Sequence, residues 1–361
     1  MNLVDKITPE HIRKLVPYSS AKRELFGYQI ANQSLWLNAN ENPWAGGLSE
    51  HLQENINRYP DFQSDSLIDL YAEYADVDLS SVLVTRGADE GIELLVRTFC
   101  QPGEDKIIVN TPTYGMYTIC ADTSNIETIE VSLSDKYQID VEKLIAAKDD
   151  KVKLVFICSP NNPTGGLMSR PKILEVLEAY KDSALVVLDE AYIEFCPASS
   201  VEDLIHSYPN LVVLRTLSKA FGLAGIRCGF TLASADIIDM MKKVIAPYPI
   251  PAPVEQTALE ALSKNGLEQM RQHVSLLNLE KQQLISNLQR LNFVKNILHS
   301  DTNFVLIEVT DKQQVLDALT AKDIYIRDQS KQPGLSNHIR ITVGNDEQMQ
   351  AVLAVLEGLD S

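Results

Sequence analysis

The chain has 361 residues, 45% hydrophobic and 22% charged, which is ordinary globular composition and leaves room for about two domains. Its 49 acidic against 32 basic side chains give a formal charge of −17. That excess argues against nucleic-acid binding, which needs a concentrated positive surface, and any anionic ligand must be held by local exceptions to an acidic shell.

Met1–Glu10 lacks the apolar run of a secretion signal, and the longest apolar runs, such as Leu154–Cys158 and Leu185–Leu188, are too short to span a bilayer. A cytoplasmic chain without a membrane segment is therefore expected. The five cysteines, at 100, 120, 158, 196 and 228, are scattered. No two are spaced as metal ligands; no metal site is expected, and the thiols should be reduced and buried.

From residue 81 onward, apolar runs alternate with longer amphipathic stretches. Strands are predicted at Ser81–Thr85, Lys106–Asn110, Glu127–Val131, Lys153–Cys158, Ala184–Asp189, Leu211–Leu214 and Cys228–Leu232. Several are apolar at consecutive positions, which suits strands covered on both faces. Helices are predicted between them, at Asp89–Cys100, Tyr114–Asp122, Pro171–Lys181 and Ala235–Ile245. The alternation predicts an α/β fold with a mostly parallel sheet of seven strands.

Prolines 247, 249, 251 and 253 then fall on alternate positions and predict a stiff connector. Beyond it, helices are predicted at Val254–Lys264, Leu267–Leu291, Lys312–Lys322 and Asp346–Leu359, with short strands at Asn303–Glu308, Ile324–Arg327 and His338–Thr342. These make a smaller α+β domain. The expected division is a large domain over 46–246 and a small one from 1–45 plus 247–361.

Ligands of open α/β sheets sit at the carboxyl ends of the strands. The first strand is followed by Arg86-Gly87-Ala88-Asp89-Glu90, a helix start whose amides suit a phosphate, or an ordinary helix start. The second is followed by Tyr114, a stacking ring or a core residue. Next comes Ser159-Pro160-Asn161-Asn162-Pro163-Thr164-Gly165-Gly166, a rigid turn with two carboxamides. Asp189 closes an apolar strand; it is either a buried acid needing a partner or a helix cap. Lys219 stands among small and apolar residues. There it is either a lysine whose amine burial makes nucleophilic or a surface side chain. Ser218 and Arg227 flank it and suit a phosphate. Taken together, an amine, an acid, a carboxamide, two tyrosines and an anion cradle match what pyridoxal phosphate needs. The chain has no P-loop or dinucleotide fingerprint, which speaks against a nucleotide-binding regulator.

The stretches Ser159–Gly165, Asp189-Glu190-Ala191-Tyr192 and Ser218-Lys219 through Gly225-Ile226-Arg227 resemble, in order and spacing, the signatures of fold-type I pyridoxal-phosphate aminotransferases. Within that family the chain is most similar to the histidinol-phosphate aminotransferases. The stretches that carry this are Leu37–Pro43, Asn57-Arg58-Tyr59-Pro60, Thr85–Glu90 and Ile339–Gly344. The resemblance implies a large domain with a seven-stranded sheet and a smaller α+β domain. It implies that Lys219 takes the cofactor aldehyde, Asp189 pairs with the ring nitrogen, and Asn162 and Tyr192 contact the ring oxygen. Tyr114 would stack on the ring, and Ala88, Asp89, Ser218 and Arg227 would hold the phosphate. Tyr59 would reach the neighbouring subunit of a homodimer. Arg340, Arg327 and Tyr18 would face the substrate; after Tyr18 stands Ser19-Ser20-Ala21-Lys22, where Pro and Gly are common in the family.

The implied reaction is reversible, ping-pong amino transfer between glutamate/2-oxoglutarate and imidazole-acetol phosphate/histidinol phosphate, in histidine biosynthesis. The rival activities on the same residues are aromatic amino-acid aminotransferase and phospho-amino-acid decarboxylase.

Overall fold

The computed structural model describes residues 2–16, 39–42, 44 and 56–359. Two short helices, α1 (Leu3–Ile7) and α2 (Glu10–Arg13), open the chain, and α3 (Asp65–Ala75) follows. The large sheet is built from β1 (Val82–Thr85), β2 (Lys106–Thr111), β3 (Glu127–Ser132), β4 (Val152–Cys158), β5 (Leu185–Asp189), β6 (Leu211–Thr216) and β7 (Gly229–Ala233). All seven predicted strands are present. They stand in the order β1-β7-β6-β5-β4-β2-β3, parallel except for β7, which runs against both neighbours.

Helices α4 (Gly87–Phe99), α5 (Met116–Thr123), α6 (Val141–Ala146), α7 (Arg170–Tyr180) and α8 (Ala235–Val244) connect the strands. In α4, Ile92, Leu95, Val96 and Phe99 recur at helical spacing and are fully buried, so one stripe drives the helix onto the sheet. The sheet is covered on both faces by two separate clusters, one under α3 and α7, the other under α4 and α8. β4, β5 and β6 accordingly carry almost unbroken apolar runs.

Helices α9 (Ala252–Leu262) and α10 (Lys264–Leu288) lead to a second sheet. It comprises β8 (Val294–Ile297), β9 (Phe304–Val309), β10 (Arg327–Asp328) and β11 (His338–Thr342), ordered β10-β11-β9-β8 and antiparallel throughout. α11 (Lys312–Thr320), α12 (Asp346–Leu359) and the second half of α10 cover one face, through Leu284, Leu288, Val305, Ile307, Ile339 and Ile341. The opposite face, with Phe304, Leu306, Arg327 and Arg340, is thereby left for the large sheet.

Three expectations need correction. The N-terminal residues that are described do not join the small sheet: Val4 and Ile7 pack into the large-sheet cluster with Ile92 and Ile237. Asn2 and Arg13 bond to Asp236 and Lys243 of α8. Likewise α9 belongs by packing to the large sheet, because Ala258 and Leu262 lie in its cluster. The strand expected at Ile324–Arg327 is displaced to Arg327–Asp328, and β8 was not anticipated.

Candidate active site

The parallel strands all end at one edge of the large sheet. Because β7 runs backwards, its entrance lies at that same edge, and this brings Arg227 beside residues that follow β1 and β6. The edge opens on a cavity. Its wall contains Ala88 and Asp89 from the start of α4, Tyr114 from the loop before α5, Cys158 at the end of β4 and Asn162 beyond it. Asp189 at the end of β5, Ala191 and Tyr192 beyond it, Thr216 at the end of β6, Ser218 and Lys219 beyond it, and Arg227 complete it. Every cofactor residue expected from the sequence except Tyr59 therefore lines one space.

Asp189 forms the floor and is almost wholly buried. Its Oδ2 accepts a hydrogen bond from the Tyr117 hydroxyl at 2.6 Å and its Oδ1 from the Ala191 amide at 3.0 Å. Burial raises its pKa, and these two donors pull it back down. A carboxylate so placed gains from a cationic partner inside the cavity. Lys219 stands across from it, with its ammonium 5.5 Å from the centre of the Tyr192 ring. Its pKa is lowered by burial first and by the Arg340 charge second, with Asp189 opposing. A lysine in these surroundings releases its proton more readily than a surface one.

The far end of the cavity is an anion cradle. No side chain caps the start of α4, and the Arg86 amide before it is taken by Glu90. Gly87 has φ +77°. Gly229 is tighter still: a Cβ there would lie 2.5 Å from the Gly87 carbonyl carbon and 2.7 Å from the Ala88 nitrogen. Arg227, itself left-handed at φ +53°, aims its guanidinium across this turn. It donates to Ser218 Oγ at 3.1 Å and pairs with Asp89 at 3.2 Å. Tyr114 donates to the same Asp89 carboxylate at 3.1 Å. Uncapped amides, a hydroxyl and a guanidinium suit a phosphate monoester.

The small sheet contributes a second cationic site. Arg340 donates to Asn162 Oδ1, and its guanidinium carbon lies 5.0 Å from the centre of the Phe304 ring. Its buried Nε has no hydrogen-bond partner among the described residues. Arg327 is its direct cross-strand partner, so both side chains leave the same face. Burial, and then the Arg327 charge, lower the Arg340 pKa. Two opposed arginines with an unfilled donor provide a site for a second anion.

Tyr59 lies outside this cavity. Its ring stacks on Tyr248 at 4.5 Å and its amide donates to Glu41 at 2.7 Å. Tyr18 lies outside the described residues. Sequence reasoning missed Tyr117, whose only signal was that a buried Asp189 needs a donor. It also missed the cluster behind Tyr192, where buried Arg215 binds Glu190 and Glu202 at 2.8 and 2.9 Å and pairs with Glu194 at 3.5 Å. That cluster anchors the turn carrying Tyr192, because Glu190 also accepts from Ser200 and from the Val201 amide.

Residues 32–356 match the family described as aminotransferase class I and II. The chain is 49% identical to the histidinol-phosphate aminotransferase of Pseudoalteromonas atlantica, over 98% of its own length and 94% of that protein. A histidinol-phosphate aminotransferase structure from Clostridium acetobutylicum superposes with a TM-score of 0.78 at 27% identity, covering 85% of this chain and 92% of the other. The Sinorhizobium meliloti histidinol-phosphate aminotransferase, solved in complex with pyridoxal-5'-phosphate, has a TM-score of 0.75 at 22% identity. It covers 84% of each chain, and at that identity it speaks for the fold alone. The chain belongs to the aminotransferase class I and II family.

Proposed function

We propose that the protein transfers an amino group between glutamate and imidazole-acetol phosphate, making histidinol phosphate reversibly in histidine biosynthesis. The observation that carries the reading is a set of two arginine sites, the Arg227 cradle on the wall of the Lys219 cavity and the Arg340–Arg327 pair, which reaches that wall through Asn162. Identity of 49% to a full-length histidinol-phosphate aminotransferase supports this choice of substrate.

The residues fit pyridoxal phosphate, the cofactor of this family. The missing Cβ at Gly229 lets β7 pack directly on the Gly87–Ala88 backbone that starts α4, and Asp189 offers a buried acid opposite Lys219. Bound there, the cofactor supplies an aldehyde for amines and a ring that accepts electrons. Arg227, Ser218 and the amides of Ala88 and Asp89 hold its phosphate. Asp189 keeps the ring nitrogen protonated, while Tyr117 and the Ala191 amide keep Asp189 in place. Asn162 and Tyr192 contact the ring oxygen, and Tyr114 packs on the ring.

Lys219, a base of lowered pKa inside the cavity, would move the proton at the substrate Cα. Arg340 takes the carboxylate of glutamate and then the phosphate of the second substrate, with Arg327 beside it. One site serving both substrates in turn gives ping-pong kinetics. Tyr59, outside its own cavity, serves the neighbouring subunit of a cytoplasmic homodimer, and Tyr18 joins the substrate side.

The test is an acceptor panel. Purified protein should take up pyridoxal phosphate, turn yellow, and use glutamate with imidazole-acetol phosphate. Lys219→Ala should lose both colour and turnover. Preference for phenylpyruvate, or release of carbon dioxide, would overturn the substrate assignment in favour of an aromatic aminotransferase or a decarboxylase.

A further inference from the structure

The turn that carries Asn162 is gripped by the small sheet at two points. One is the Arg340–Asn162 contact. The other is a short loop, His299–Asn303, that precedes β9. Asp301 donates its own amide to the Gly165 carbonyl at 2.8 Å. Its carboxylate Oδ2 accepts from the Leu167 amide at 3.1 Å. The loop and the turn touch so closely that a Cβ on Gly165, which has φ +87°, would lie 3.0 Å from Ser300.

The loop is stiff. Thr302 is fully buried, and its carbonyl accepts from buried Lys281 of α10 at 2.7 Å. Ser300 and Thr302 share a hydrogen bond at 2.8 Å. Nor is the turn free on its other side: Asn161 accepts from Thr113 and donates to the Pro112 carbonyl, both at 3.0 Å. β9 pairs directly with β11, the strand that bears Arg340. Asp301 and Arg340 are thus parts of one frame, and they hold the same turn from two sides.

We infer that Asp301 is a positioning residue, whose carboxylate clamps the Asn161–Leu167 turn so that Asn162 and Arg340 meet across the substrate site. This rests on the function proposed above. Lys219 and Arg227 adjoin other strands and Asp189 ends β5, so losing the clamp should disturb substrate binding more than chemistry.

The experiment compares three holoenzyme variants. Asp301→Ala should raise KM for both glutamate and the keto acceptor by about tenfold, the order of one lost hydrogen bond to a charged group, while kcat changes less than about threefold. Asp301→Asn keeps an acceptor for the Leu167 amide and should restore most of that loss. His299→Ala removes the other partner of Asp301, a ring that pairs at 3.0 Å and is 81% exposed, and should behave as wild type. Unchanged KM in Asp301→Ala, a loss confined to kcat, or an equal effect of His299→Ala would overturn the inference. Amide exchange separates it from the functional proposal. Inactive wild-type protein would refute that proposal, yet the clamp would still require faster exchange at Leu167 in Asp301→Ala, and unchanged exchange there would refute the clamp.

Discussion

Glu194 lies in the single turn Ile193–Phe195, directly behind Tyr192. Its carboxylate is buried, and its cation among the described residues, Arg215, is 3.5 Å away and already engaged by two other acids. Burial raises its pKa, Arg215 pulls it back, and Glu190 pushes it up again; the balance is about 7. In the unfolded chain the same acid titrates near 4.5. Between those values the folded state keeps a proton that the unfolded state has released. Stability therefore falls as pH rises from 4.5 towards 7 and levels off above it. The gap corresponds to about 3 kcal/mol at its full extent.

Glu194→Gln keeps the shape and has no proton to lose. Urea unfolding should find the two proteins close in stability at pH 5 and the variant more stable at pH 8, by up to about 3 kcal/mol. Titrating groups outside the cluster of Glu190, Glu202, Arg215, Tyr71 and Tyr74 are shared and cancel in the difference. A stability difference that does not change with pH, or a variant less stable than wild type at pH 8, would refute the reasoning.

Gly229→Ala should weaken pyridoxal phosphate uptake by at least about tenfold in a titration of the visible band, because its Cβ would displace the Ala88 amide from the phosphate. Unchanged affinity would show that this turn is not the anion site. Arg327→Ala should raise KM for the phosphorylated acceptor by about tenfold and for glutamate less, since a dianion gains more from a second guanidinium; steady-state kinetics with each substrate varied will tell. Leu188→Ala, fully buried in the central strand β5, should cost about 2–5 kcal/mol in urea unfolding.

The large sheet was legible because its strands are buried on both faces and so read as unbroken apolar runs, as in Leu154–Cys158 and Leu185–Leu188. β8 was not legible, since Lys295 and Asn296 are exposed and, among the described residues, it pairs with β9 alone. The placement of α9 was hidden by the prolines before it. Pro251 caps that helix rather than separating two bodies, and the helix then turns Ala258 and Leu262 back to the large core. Packing of this kind leaves no mark in local periodicity.

The site follows the same division. Residues to which the proposed function gives side-chain roles, such as Lys219, Asp189 and Arg227, stand out by type beside apolar strands. Those that act through another residue do not: Tyr117 is one tyrosine among 13, and Asp301 bonds a backbone amide 134 positions away. Strand direction is also invisible, yet it decides the phosphate site, because only a reversed β7 can carry Arg227 to the end where β1 and β6 finish. The charge of −17 now has a local meaning. Arg227 is partly countered by Asp89, whereas Arg340 faces another arginine and, among the described residues, no carboxylate. On the function proposed above, an anion exchanged twice in each cycle would therefore belong at the Arg340–Arg327 pair rather than one that stays bound.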